Sequence, residues 1–138
     1  MGNNELKIFI AMSRTLNKLN KLNNQLFREY SLTSGQYGVL EALYHKGDRS
    51  VGEIQEMILS TTGSMPVILK NLKARELIST CTDENDRRIT IVSLTDEGRD
   101  LIKLVFPKNK KIIEDYFSKI SGEEQEDIVK ILSKFKED

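Results

Sequence analysis

Two groups of side chains carry most of the polar chemistry available to this 138-residue chain. A hydroxyl-rich run, Ser60-Thr61-Thr62-Gly63-Ser64, is followed by Met65 and, further on, by Lys70 and Lys73. A second polar stretch, Asp83-Glu84-Asn85-Asp86-Arg87-Arg88, ends in paired guanidinium groups. Small hydroxyl side chains let a backbone come close to a ligand, and lysine and arginine neutralise and hydrogen-bond phosphates. This is chemistry of recognition. The means of bond making are missing: the single histidine, His45, and the single cysteine, Cys81, stand far apart, and no nucleophile motif or phosphate loop occurs. The chain is therefore expected to be no enzyme and to need no cofactor. One cysteine also excludes an intrachain disulfide or a Cys-rich zinc site, and one histidine leaves no partner for a metal. Cys81 reads as a small, inert strand residue, with a redox role as the alternative; that role requires exposure and an activated thiolate.

Those side chains need elements to hold them. Residues 6–30 carry bulky residues at Phe9, Met12, Leu16, Leu19, Leu26 and Tyr30, with Asn23 in one slot of the stripe. The alternating three- and four-residue spacing predicts a long amphipathic helix, roughly 35 Å at about 1.5 Å per residue. Thr33-Ser34-Gly35-Gln36 is a capping-box pattern that opens a second helix ending at Gly47-Asp48, and Ser50-Val51-Gly52-Glu53 opens a short third. A fourth helix runs to about Arg75 with Val67, Ile68, Leu69 and Leu72 facing inward. The β-branched stretches 77–82 and 89–94 flank the Asp83–Arg88 tip and predict a hairpin. Thr95 caps a long fifth helix with Asp96 and Glu97 in its first turn, and Ser121 with Glu124 caps a last one.

The expected fold is mainly α with a small β-hairpin wing: a winged helix-turn-helix lobe at 33–95, with 1–32 and 96–138 forming a helical dimerisation base, all in one domain. The end helices are too long to bury their stripes on so small a lobe, so their natural partner is a second copy of the chain. Phe9, Met12, Ile112, Tyr116, Ile128 and Leu132 are the expected dimer contacts. The lobe suits double-stranded DNA. The fourth helix would present Thr61, Thr62, Ser64 and Met65 to a major groove, with Lys70 and Lys73 on phosphates. Arg87 and Arg88, on a thin hairpin, fit a minor groove. The formal net charge is zero, so the basic patch is local and balanced by acids such as Glu123, Glu124, Glu126 and Asp127. No apolar run reaches the roughly 18–20 residues that cross a bilayer, and no secretory pattern opens the chain, which predicts a cytoplasmic protein without membrane partners.

Specific stretches resemble a known family. Leu77 to Gly98, L-I-S-T-C-T-D-E-N-D-R-R-I-T-I-V-S-L-T-D-E-G, looks like the wing of the MarR family of bacterial regulators. Asn71 to Ile78 (N-L-K-A-R-E-L-I) and Leu32 to Leu40 (L-T-S-G-Q-Y-G-V-L) resemble its recognition-helix end and second helix. D-x-R followed by L-T-x-x-G is the most specific element. The resemblance implies an intertwined homodimer, a recognition helix at about Thr61 to Arg75, Asp86 bracing the wing, Arg88 in a minor groove, and a pseudo-palindromic target site. It also implies a repressor released by a small, often aromatic, ligand or by cysteine oxidation. Tyr37 and Tyr44, with Phe9 and Met12, are candidate linings of a pocket for a hydrophobic or phenolic effector. A winged-helix module that binds protein remains the other alternative. The sequence departs from the family at two places. Pro66 suits only a helix's first turn, so the regular helix is expected to start near Gly63 or Ser64, or else to kink there. Glu76 stands where glycine is common, so a left-handed backbone there would be strained.

Overall fold

The computed structural model describes residues 3–58 and 64–136. Helix α1 (Asn4–Glu29) leads into α2 (Ser34–Lys46), a short strand β1 (Arg49–Ser50) and α3 (Val51–Met57). Helix α4 (Met65–Ala74) is followed by strands β2 (Ile78–Thr82) and β3 (Thr90–Leu94), then α5 (Asp96–Phe117), α6 (Gly122–Leu132) and a closing helical turn at Ser133–Phe135. The fold is mainly α-helical, with an antiparallel hairpin and long flanking helices, as expected.

Local chemistry sets the helix starts. Thr33, Ser50 and Ser121 each accept from the backbone N–H three residues on, and Gln36, Glu53 and Glu124 reach back to the cap N–H. These reciprocal bonds satisfy donors that a helix end leaves free. Gly47 closes α2 at φ +79°. The sheet holds one more strand than the sequence suggests. β1 pairs antiparallel with β3, Arg49 opposite Val92 and Ser50 opposite Ile91, giving the order β1-β3-β2.

One buried apolar cluster joins the elements. Leu40, Ile54, Leu72 and Val92 are fully buried, and so are Ile102 and Val105 of α5. Leu26 and Phe27 at the end of α1 belong to the same cluster. The long helices thus anchor one end in the lobe. Their other ends form a base in which α1 meets α5 through Asn109 Nδ2 donating to Asn23 Oδ1 at 2.8 Å, with Asn109 buried. No described residue of α6 is buried.

Candidate nucleic-acid interface

The surface that could meet a nucleic acid is built on α4 and the β2–β3 hairpin. Ser64 caps α4, its hydroxyl accepting from Val67 N–H, and Pro66 sits in the first turn, where it displaces no helical bond. The start at Ser64 agrees with the constraint that Pro66 imposes. Thr61 and Thr62, expected in the same first turn, lie outside the described residues. Two apolar assignments on this helix are corrected. Met65, expected to face a groove, is 9% exposed and belongs to the core, so it supports the helix from beneath. Val67, expected inward, is 54% exposed. Both are apolar, and only the phase of the helix on the core distinguishes them. Met65, Ile68, Leu69 and Leu72 form the buried face, which turns Val67 outward. Lys70 is exposed, and Lys73 donates to Thr80 Oγ1 at 2.9 Å, tying α4 to the wing.

The wing tip is folded on its own side chains. Asp83 Oδ2 accepts from Asp86 N–H at 3.1 Å, and Ile89 N–H donates to the Asp86 carbonyl at 3.0 Å. Asp86 Oδ1 accepts from both Arg88 N–H and Arg88 Nε, while its Oδ2 accepts from Nη2 at 3.0 Å. The Arg88 guanidinium and then the Arg88 backbone N–H hold the Asp86 carboxyl below the usual carboxylate range. Arg88 is thereby aimed while staying in solvent, its side chain 90% exposed. Arg87 is also exposed at the tip, and Cys81 is exposed on β2 opposite Ile91.

The junction between α4 and the wing explains the L-T-x-x-G element. Glu76 adopts φ +59°, the left-handed region anticipated for this position. Thr95 Oγ1 donates to the Glu76 carbonyl at 2.6 Å and accepts from Gly98 N–H at 3.0 Å, so one hydroxyl caps α5 and secures the turn. A Cβ on Gly98 would lie 2.0 Å from the Leu77 carbonyl oxygen, so only glycine permits this approach.

Arg75, which sequence reasoning left unassigned, ties the winged lobe to the base. Its Nη1 donates to the Ser31 carbonyl at 2.7 Å and its Nη2 to the Tyr30 carbonyl at 3.2 Å, just beyond α1. Lys108 Nζ of α5 donates to Tyr30 Oη at 2.6 Å beside them. No local pattern signals contacts between residues so distant in sequence.

A cavity of about 570 Å³ lies between α1, α2 and the end of α3, with Asn23, Phe27, Tyr37, Glu41, His45 and Ile58 in its wall. Of the two tyrosines expected at a pocket, Tyr37 lines this one. Tyr44 does not: it packs edge-on against His45, beneath the Arg99 guanidinium. Phe9 and Met12 are likewise not part of its lining; both are exposed on the outer half of α1. Tyr37 stacks on Phe27 at 4.2 Å, and its buried hydroxyl has no hydrogen-bond partner among the described residues. Burial, and then the Glu41 charge, push that hydroxyl's pKa up, so it stays a neutral donor.

Of the expected dimer contacts, Phe9, Met12, Ile128 and Leu132 are 68%, 49%, 42% and 43% exposed. Ile112 and Tyr116 are half-buried in the base. Among the described residues, no group of histidine, cysteine and carboxylates could hold a metal, and no helix is long and apolar enough to cross a membrane.

Comparison with known proteins gives this geometry a context. The sequence model of the family described as transcriptional regulator SarA/Rot matches residues 21–105. The chain is 32% identical to the HTH-type transcriptional regulator MhqR of Bacillus subtilis over 97% of its own length and 92% of that protein. BpsR of Bordetella bronchiseptica, whose DNA binding is regulated by 6-hydroxynicotinic acid, superposes with a TM-score of 0.82 at 26% identity, over 93% of this chain and 97% of that one. A mutant E. coli MarR complexed with operator DNA has the same fold, with a TM-score of 0.84 at 16% identity over 96% and 95% of the two chains.

Proposed function

The chain belongs to the MarR/SarA family of winged helix-turn-helix transcriptional regulators, and on that premise we propose that it is a ligand-responsive repressor that grips a pseudo-palindromic operator as a homodimer. Lys70, Lys73, Arg87 and Arg88 are the residues assigned to the DNA backbone and minor groove, with Ser64 at the head of α4. The outward apolar residues of α1 and α6 are assigned to the subunit interface. An apolar groove at the α5–α6 corner, lined by Ile113, Phe117, Ile120, Ile128 and Leu132, offers a seat for a partner helix.

The observation that carries the ligand reading is the buried Tyr37 hydroxyl, without a hydrogen-bond partner among the described residues, on the wall of a cavity between base and lobe. A buried polar group without a partner is costly, and a ligand acceptor at that point would relieve it. The buried stack of Phe27 and Tyr37 lines the wall with aromatic surface that suits a flat ring, and BpsR responds to a hydroxylated aromatic acid. Two recognition helices must sit about one DNA turn apart, roughly 34 Å, to read two half-sites. A ring wedged between α1 and α2 would shift the lobe against the base that sets this spacing, and the Arg75 bonds to the end of α1 would carry the shift to α4.

The test is fluorescence anisotropy of the protein on its own upstream DNA and on a scrambled duplex, across a salt series. The expected result is tight, salt-sensitive binding that prefers the upstream duplex, with Arg88→Ala lowering the salt slope by about one unit. Titration with a panel of hydroxylated aromatic acids should release the DNA from the wild type but not from Tyr37→Phe. An unchanged response in that variant would remove the cavity from the mechanism. Absence of DNA binding at low salt would leave a protein-interaction role instead.

A further inference from the structure

The exposed crest of α4 holds a residue that the core does not explain. Val67 is 54% exposed, although the four large apolar side chains of the helix, Met65, Ile68, Leu69 and Leu72, are all buried. Lys70, Asn71 and Ala74 follow Val67 at three, four and seven positions, and all three are exposed. They therefore share one face, opposite the core. The core sets the phase of this face, since Met65, Ile68, Leu69 and Leu72 are buried on the other side, while Ser64 and Pro66 fix where the helix begins.

The chemistry of the crest matches one class of base pair. An isopropyl group has no hydrogen-bonding capacity. The one apolar feature that a base edge presents in the major groove is the thymine C5-methyl. A carboxamide one turn further on offers a donor and an acceptor side by side, which is the complement of adenine N6 and N7. The small Ala74 leaves room for the helix to sit deep, and Lys70 on the same face supplies a cation for the phosphates. Val67 and Asn71 are about 6 Å apart along the axis, at 1.5 Å per residue. That distance spans about two base-pair steps at roughly 3.4 Å each.

We infer that Val67 and Asn71 are specificity-determining residues, Val67 reading a thymine methyl and Asn71 an adenine edge within about two base pairs, so that each half-site has an A·T core. The inference rests on the reading of α4 as the DNA-recognition helix.

The experiment begins by selecting duplexes from a randomised pool with the full-length protein. In the best duplex, each thymine is then replaced by deoxyuridine, which removes only the methyl, and each adenine by an analogue with carbon in place of N7. At one thymine per half-site the wild type should bind about fourfold more weakly after replacement, the worth of one buried methyl group. Val67→Ser should bind the two duplexes equally. At one nearby adenine the wild type should lose about tenfold, and Asn71→Ala should be indifferent. Both side chains lie in solvent, so both variants should keep the wild-type circular dichroism and salt slope. A wild type blind to every methyl deletion, or a Val67→Ser variant that still discriminates, overturns the Val67 assignment; the corresponding adenine results overturn that of Asn71. A selection that yields no preferred sequence is a distinct failure, since it removes sequence-specific binding itself.

Discussion

The lobe and the base use similar apolar side chains to opposite ends. In the lobe, Leu40, Leu72 and Val92 are fully buried. In the base, Phe9, Val129 and Phe135 are 68%, 70% and 77% exposed, and α6 buries none of its described residues. A single chain closes its own lobe but not its base. The difference separates two kinds of stability. The lobe's is intramolecular, whereas on the homodimer reading the base's depends on a second copy and thus on protein concentration. It also separates two roles on our reading, because the lobe contacts DNA and the base sets how far apart two lobes stand.

The sharpest way to break this comparison is to make the same deletion in both regions. Leu72→Ala should lower stability by about 2–5 kcal/mol in urea denaturation, because it empties a closed core. Leu132→Ala, measured on dilute protein, should change it far less. Equal losses at low concentration would show that the base is closed within one chain. Gly98→Ala comes next, with an expected loss of about 1–3 kcal/mol toward the upper end, since its Cβ meets the Leu77 carbonyl and backbone must yield. Charging the base should do the reverse. Phe9→Asp is expected to weaken self-association at least tenfold, about 1.4 kcal/mol, in sedimentation equilibrium, and to leave the lobe's unfolding midpoint in place. Glu76→Gly should raise stability by about 1 kcal/mol by relieving the left-handed backbone. The smallest effect concerns pH. Asp86 is held below its ordinary carboxylate value by Arg88, so its contribution is fully present above that value and disappears as pH falls through the depressed one. The Arg88 Nε–H resonance in NMR should therefore keep its bonded position to a lower pH than an unpaired carboxylate would allow. A midpoint at the ordinary value would show that the wing brace is loose in solution.

Features decided within a few residues were legible before the structure. The capping boxes at Thr33, Ser50 and Ser121 bond only to residues three positions away, so their patterns carry the outcome. The hairpin strands and the start of α4 set by Pro66 follow equally from local chemistry, whereas the positive φ of Glu76 was signalled only by the glycine common at that place in the family. Part of the candidate site was not local. Met65 and Val67 are both apolar and two residues apart, so composition could not say which would be buried. The core against which α4 packs made that choice, and it placed Val67 in solvent.

The same division runs through the rest of the molecule. By itself the sequence determined the order and ends of most helices, the hairpin with its charged tip, and an apolar stripe that the lobe could not absorb. Only the tertiary structure decided which distant groups meet. It added β1 to the sheet against Val92, brought Arg75 to the carbonyls at the end of α1, paired Asn23 with Asn109, and seated Tyr37 rather than Tyr44 at the cavity. The physical reason is one of range: capping and turn chemistry act over three or four residues, whereas these contacts exist only after the shared core has fixed the helices against one another.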